Sequence, residues 1–137
     1  MSDLELDEYG RFVESVTSDV SESFSKLKDR VQKLEMDDPM VNMSLLMTSA
    51  LGLSSETGEF NEIIKKMLFQ GKPLTEENMF HMKRELGDVL WYWVNACRAL
   101  GLKPSEVMGE NVEKLRARFP SGKFSVEKSE NRCKGDL

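Results

Sequence analysis

Gly71-Lys72-Pro73 interrupts two long runs of helical periodicity, one reaching about Phe69 and the other running from Thr75 to about Leu100. This break constrains the fold more than any other feature of the chain. A glycine can turn the backbone and a proline cannot continue a helix, so the two runs are expected to reverse on each other as an antiparallel pair. Alternation of β-branched residues is scarce throughout. The expected fold class is therefore all-α, a bundle of four or five helices with almost no strand.

Tyr9, Phe12, Val13 and Val16 stand at helical spacing and predict a first helix over about Leu6 to Val16. A serine-rich stretch, Ser18 to Ser25, weakens the pattern before Phe24, Leu27, Val31 and Leu34 resume it. Asp37-Asp38-Pro39 reads as a helix start, with Asp38 as N-cap and Pro39 at the first helical position. Thr75 caps the second long helix, with Glu76 and Glu77 in its first turn. Gly101 suits its C′ position, and Pro104 opens a last helix that stops before Phe119-Pro120. At 137 residues the chain is expected to form one domain over 1–137, with 1–38 as an N-terminal helical extension and 121–137 as a polar tail.

Several function classes are excluded early. With 24 acidic and 19 basic residues the net charge is −5, which argues against a nucleic-acid partner. No run of 18 apolar residues exists and the first residues lack the basic and apolar regions of a secretion signal, so no membrane partner and a cytoplasmic location are expected. Cys97 and Cys133 form no CxxC and read as reduced thiols. His81 is the single histidine, which excludes imidazole-rich metal sites; one turn before Glu85 it can touch a phosphate, although a solvated helix histidine is the more ordinary account. Carboxylates must carry any metal chemistry.

Two acidic pairs offer them: Glu56-Thr57-Gly58-Glu59 on the first long helix and Glu85-Leu86-Gly87-Asp88 on the second. Residues three apart share a helix face. Counted from the break, Glu59 lies roughly 18 Å along one helix and Glu85 roughly 15 Å along the other, so all four carboxylates are expected at one level. Chance produces such pairs in an acidic helical protein, and Glu110 with Glu113 is an example on a solvated face. What separates Glu56/Glu59 and Glu85/Asp88 is the matched height and the apolar surroundings. Leu86, Val89, Leu90, Trp93, Val94 and Cys97 cover a broad face of the second helix, which is expected to be buried on most sides. Carboxylates beside packed faces repel one another and cost several kcal/mol each to desolvate unless paired or metal-bound. A hard divalent cation such as Mg²⁺ resolves the conflict, and Mg²⁺ is normally shared with substrate phosphates. A di-iron bundle would need Glu-x-x-His, which does not occur.

Other residues fall on the same stripes. Lys66 shares the arc of Glu56 and Glu59 and can neutralise phosphate oxygens, with Lys65 beside it as second choice; a solvated lysine at a helix end is the rival account. Tyr92 can stack on a base or hold a sugar, and Asn95 offers a donor and an acceptor, each against a packing role. Asn111, Lys114 and Arg118 form a stripe on the last helix that is otherwise an ordinary solvated face. Helices this apolar would expose too much surface alone, so a homodimer or a homotetramer made of dimers is expected.

The segment from Leu51-Gly52-Leu53-Ser54-Ser55-Glu56-Thr57-Gly58-Glu59 to Lys66, followed by Glu85-Leu86-Gly87-Asp88-Val89-Leu90, resembles the MazG nucleoside triphosphate pyrophosphohydrolases of the all-α NTP pyrophosphatase superfamily. It matches their ExxE…ExxD signature with 25 residues between the pairs. The likeness extends from about Leu45 to Phe124 and is greatest to short single-domain members, including those of phages. It implies Mg²⁺-dependent hydrolysis of a nucleoside triphosphate between its α- and β-phosphates, in nucleotide-pool control, with Mn²⁺ able to substitute. It assigns Glu56, Glu59, Glu85 and Asp88 as metal ligands, and leaves Glu59 and Glu62 as alternatives for the base. It also supports Asn111 and Lys114 as substrate-binding residues, with Arg118 beside them. Some relatives carry a further glutamate where this chain has Ser55. A narrower dUTP or dCTP diphosphatase and a non-catalytic module binding nucleotide or alarmone are the rival functions.

Overall fold

The computed structural model describes residues 6–131. The chain divides into two compact units, 1–43 and 44–137. In the first, α1 (Leu6–Val16), α2 (Asp19–Glu22) and α3 (Phe24–Asp37) follow one another. The serines that weaken the hydrophobic pattern act as helix caps. Ser18 accepts from the Ser21 amide and Ser23 from the Lys26 amide, so a single helical turn is set between two longer helices.

The helix start expected at Asp38 is corrected. The Asp38 amide still donates to the Leu34 carbonyl and so closes α3, while its carboxylate accepts from the Met40 amide at 2.9 Å. An aspartate before a proline serves a turn as readily as a cap, and here the turn prevails. The following helix begins four residues after Pro39, at Met43, whose amide donates to the Glu35 carboxylate at 2.9 Å.

The second unit contains α4 (Met43–Phe69) from Ser44 onward, α5 (Glu76–Ala99), α6 (Pro104–Arg118) and α7 (Val126–Glu130). All seven helices of the described residues are accounted for by the expected long segments and two short turns, α2 and α7, and these residues contain no strand. Helix α7 lies in the segment expected to be a polar tail. Cys133 lies outside the described residues.

Gly71, at φ 67°, ends α4 and lets the Lys72 amide fold back onto the Lys66 carbonyl at 3.2 Å. Thr75 caps α5 as expected, accepting from the Asn78 amide, and the Asn78 side chain ties the loop by donating to the Pro73 carbonyl at 2.8 Å. At its far end α5 closes in a full Schellman motif: Gly101 has φ 66°, its amide donates to Arg98, and the Leu102 amide donates to Cys97.

The residues at which the two long helices approach each other, Gly52 against Tyr92 and Glu56 and Glu59 beside Glu85, fall on a repeat of alternating four- and three-residue steps. On α4 it reads Leu45, Ser49, Gly52, Glu56, Glu59, Ile63, Lys66; on α5 it reads Asn78, His81, Glu85, Asp88, Tyr92, Asn95, Ala99. Such a repeat keeps one seam facing a partner helix along its whole length. Ser49 and Gly52 on α4 and Asn95 and Ala99 on α5 are buried, whereas Glu59, Lys66, His81 and Asp88 are exposed. The seam therefore runs from a dry end to a wet one, with the carboxylates between.

Helix α6 packs on α5, but the expectation that α5 is buried on most sides does not hold within one chain. Val89, Trp93 and Val94 are half-buried, while Leu86, Leu90 and Trp91 remain 54%, 58% and 58% exposed. A helix apolar around more than half its circumference needs more than two neighbours.

Candidate functional site

The close approach of α4 and α5 is set at Gly52. A Cβ built there would lie 2.1 Å from the Tyr92 ring, so only a bare backbone lets the half-buried ring cross α4. One turn along α4, Glu56 and Glu59 meet Glu85 of α5, and one carboxylate oxygen from each lies within 4.8 Å of the others. Asp88 is close enough for its charge to act on Glu56. The matched heights expected from the sequence are thus realised for three acids, with the fourth beside them.

Burial pushes the Glu56 carboxyl above the usual glutamate range, and the charges of Glu59, Asp88 and Glu85, together with a hydrogen bond to Glu85, push it the same way. Each of these causes disfavours the charged form. Carboxylate oxygens gathered within 4.8 Å, with neither imidazole nor thiolate among them, fit a hard divalent cation. Glu62 behaves oppositely. Hydrogen bonding to Lys65 holds its carboxyl below the usual range against a smaller effect of burial, aided by the charges of Lys65 and Lys66. Its carboxylate pairs with both lysines, at 3.5 Å from Lys66.

These shifts give opposite pH dependences. The folded Glu56 binds its proton more tightly than the unfolded one, so between its raised value and the ordinary value of about 4.3 the metal-free protein gains stability as pH falls. The folded Glu62 binds its proton less tightly, and its contribution is lost only as pH falls below about 4.3. Thermal melts in chelator from pH 7 to 4.5 should show wild type gaining on Glu56→Gln with acidification. Parallel curves for the two proteins would contradict the electrostatic account of Glu56.

The structure separates the remaining candidates. Tyr92 lies over Gly52 with its ring edge-on to Trp91 at 4.7 Å. Asn95 is 4% exposed and engaged at both ends of its amide, donating to the Trp91 carbonyl and accepting from Arg98. Lys66 lines a cavity of about 400 Å³ with Ile63 and His81. Asn111 and Lys114 line a different cavity of about 770 Å³ with Trp93, Val107, Met108 and Glu110, and none of the four acids borders it. Arg118 is half-buried in the last turn of α6. Gly52, Lys72 and Trp93 are the residues that sequence reasoning left without a part in the site. The four-and-three step of the acids, carried back to Gly52 and forward to Lys66, was the available signal for the first.

Residues 46–122 match the MazG nucleotide pyrophosphohydrolase domain. Over 73 residues the chain is 36% identical to the Gene 37 protein of Mycobacterium phage L5, an alignment that spans 53% of this chain and 64% of that protein. No solved structure matches. The family match takes in α4 from Leu46, all of α5 and α6 and every acid of the seam, and because it spans more than half of the chain, the protein belongs to the MazG nucleotide pyrophosphohydrolase family.

Proposed function

We propose that the protein hydrolyses a nucleoside triphosphate, a deoxynucleoside triphosphate foremost, between the α- and β-phosphates. The products are the nucleoside monophosphate and pyrophosphate. The observation that carries this reading is the convergence of Glu56, Glu59 and Glu85 within 4.8 Å at the middle of the seam, with Glu56 held in a state that favours neutralisation. Glu56, Glu59, Glu85 and Asp88 would hold Mg²⁺, or Mn²⁺ in its place. Such an ion supplies neutralisation of the triphosphate charge and a lowered pKa for bound water.

The chain's own groups divide the remaining work. Glu59, the most open of the three clustered acids, accepts the proton of the attacking water as its oxygen bonds to the α-phosphorus. The bond to the oxygen bridging α- and β-phosphorus breaks, and that oxygen leaves on pyrophosphate. Glu62, the other candidate, is weakened as a base because its lysine partners stabilise its ionised form. Tyr92, one turn from Asp88, borders the sugar. Asn95 holds α5 and Arg98 in place, since both ends of its amide are already engaged.

A second copy of the chain is proposed to cover the exposed face of α5. Leu86 and Leu90 are already nearly half covered, so burying the remainder of each contributes about 1 kcal/mol. Asn111 and Lys114, lying apart from the acids of their own chain, then serve a substrate held between subunits. Leu90→Glu is expected to halve the particle mass in light scattering. An unchanged mass would remove this face from the assembly.

The reaction is tested by incubating the protein with each common dNTP and NTP, with and without Mg²⁺, and separating the products. Monophosphate and pyrophosphate formed only with Mg²⁺ would support the proposal, and activity on dUTP or dCTP alone would narrow it. Binding without turnover would replace it with the regulatory module.

A further inference from the structure

One turn beyond the acids the seam changes sign. Ile63 follows Glu59 by four residues and His81 precedes Glu85 by four, so their level lies about 6 Å from the carboxylates along both helices. There Ile63, Lys66, Lys72, Glu77, Asn78 and His81 line the cavity of about 400 Å³. Besides Asn78, whose amide is engaged by the Pro73 carbonyl, three of these side chains can donate hydrogen bonds to an anion: two ammonium groups and an imidazole. They come from three pieces of chain, α4, the connecting loop and α5, that only the reversal at Gly71 brings together.

Lys72 is held at this place by its main chain, because its amide is bonded to the Lys66 carbonyl at 3.2 Å beyond the left-handed Gly71. Among the described residues it has no carboxylate partner. The negative groups nearby are Glu77 and Glu62. Glu77 stands 3.9 Å from His81 with its side chain 83% exposed, whereas Glu62 is held by Lys65 and makes only a longer contact, 3.5 Å, to Lys66. A pair as open to water as that of Glu77 and His81 exchanges readily for a more highly charged anion. Complementing the negative end of α4 accounts for a lysine at 66. It does not account for His81, which belongs to α5.

We propose that Lys66, Lys72 and His81 form a subsite for the terminal phosphoryl groups of a polyphosphate chain. The substrate then lies along the seam, with its scissile phosphorus at the acids and its leaving pyrophosphate at the basic end. Lys72 and His81 select a triphosphate over shorter nucleotides by requiring a tail long enough to span both levels. This rests on the hydrolytic reading of the acids, which supplies the position of the α-phosphate.

The test uses the full-length protein and titration calorimetry with inorganic tripolyphosphate and, separately, a nucleoside monophosphate, both in Mg²⁺. Lys72→Ala and His81→Ala are each expected to weaken tripolyphosphate binding by about tenfold, the scale of one charge-assisted contact, with monophosphate binding unchanged. In turnover, KM for the triphosphate rises while kcat is held. Lys83→Ala, whose lysine lines a different cavity with Leu74 and Phe80, serves as the surface-charge control and should change neither. Undiminished tripolyphosphate binding in both variants would overturn the subsite, and so would an equal loss of monophosphate binding or an equal effect of Lys83→Ala. The calorimetry reads the tail without catalysis. A protein that binds tripolyphosphate through Lys72 but turns over nothing would refute the hydrolytic reading and leave the subsite standing.

Discussion

Glu59→Gln should reduce kcat by about 10³-fold while leaving helicity and particle size unchanged. Removal of a positioned base alone typically costs 10²- to 10⁴-fold, and this substitution also withdraws one negative charge from the three-acid cluster. The fold should tolerate it because the Glu59 side chain is exposed and glutamine keeps its shape and helix propensity. Relieving repulsion at Glu56 should even raise the melting temperature of the metal-free protein slightly. Glu62→Gln is the informative contrast. It frees Lys65 and Lys66 from their ion pairs and should act mainly on KM. Product chromatography over a substrate series, beside circular dichroism, decides the matter. Wild-type turnover by Glu59→Gln would remove the residue from both of its proposed roles.

Gly52→Ala should destabilise the protein by about 1–3 kcal/mol, the cost of overpacking a close contact, and lower its melting temperature by several degrees. A methyl group there would stand 2.1 Å from the Tyr92 ring, and either the ring must rotate or the helices must part. Parting them spreads Glu56 from Glu85, so Mg²⁺-dependent turnover should fall further than stability alone explains. The clash is isolated by a double-mutant cycle. In a Tyr92→Ala background the stability cost of Gly52→Ala should vanish, or reverse, since alanine is the better helix former. An undiminished cost in that background would mean that the glycine matters for some other reason.

The sequence made the helical hairpin legible because its signals are local. Gly71, Thr75, Gly101 and Pro104 act within a turn of themselves, and each ends or opens a helix as its backbone chemistry requires. Asp38-Pro39 reads equally as a cap or a turn for a related reason. The same side-chain oxygen that caps a helix also closes a turn, and nothing within a few residues says which amide it will find. Here it found Met40.

The acids were legible because rise per residue converts sequence separation into height, and the short connection leaves little slack between α4 and α5. Asn95 and Glu62 were not. A helical wheel puts Asn95 on the acid stripe, but it cannot say that the amide is taken up by Trp91 and Arg98. It likewise leaves Glu62 beside the site without revealing that two lysines hold it ionised. Both are matters of which neighbour a side chain reaches.

By itself, then, the sequence determined the helices, their reversal and the level at which Glu56, Glu59 and Glu85 meet, since all three follow from local propensity and from the geometry of a helix counted along the chain. Only the tertiary structure decided that Tyr92 crosses at Gly52, that Lys72 and His81 share a cavity with Lys66, and that Asn111 and Lys114 stand apart from the acids. Those arrangements depend on how one helix is rotated and spaced against another. Packing fixes that rotation through atoms far apart in sequence, and no periodicity within a single helix records it.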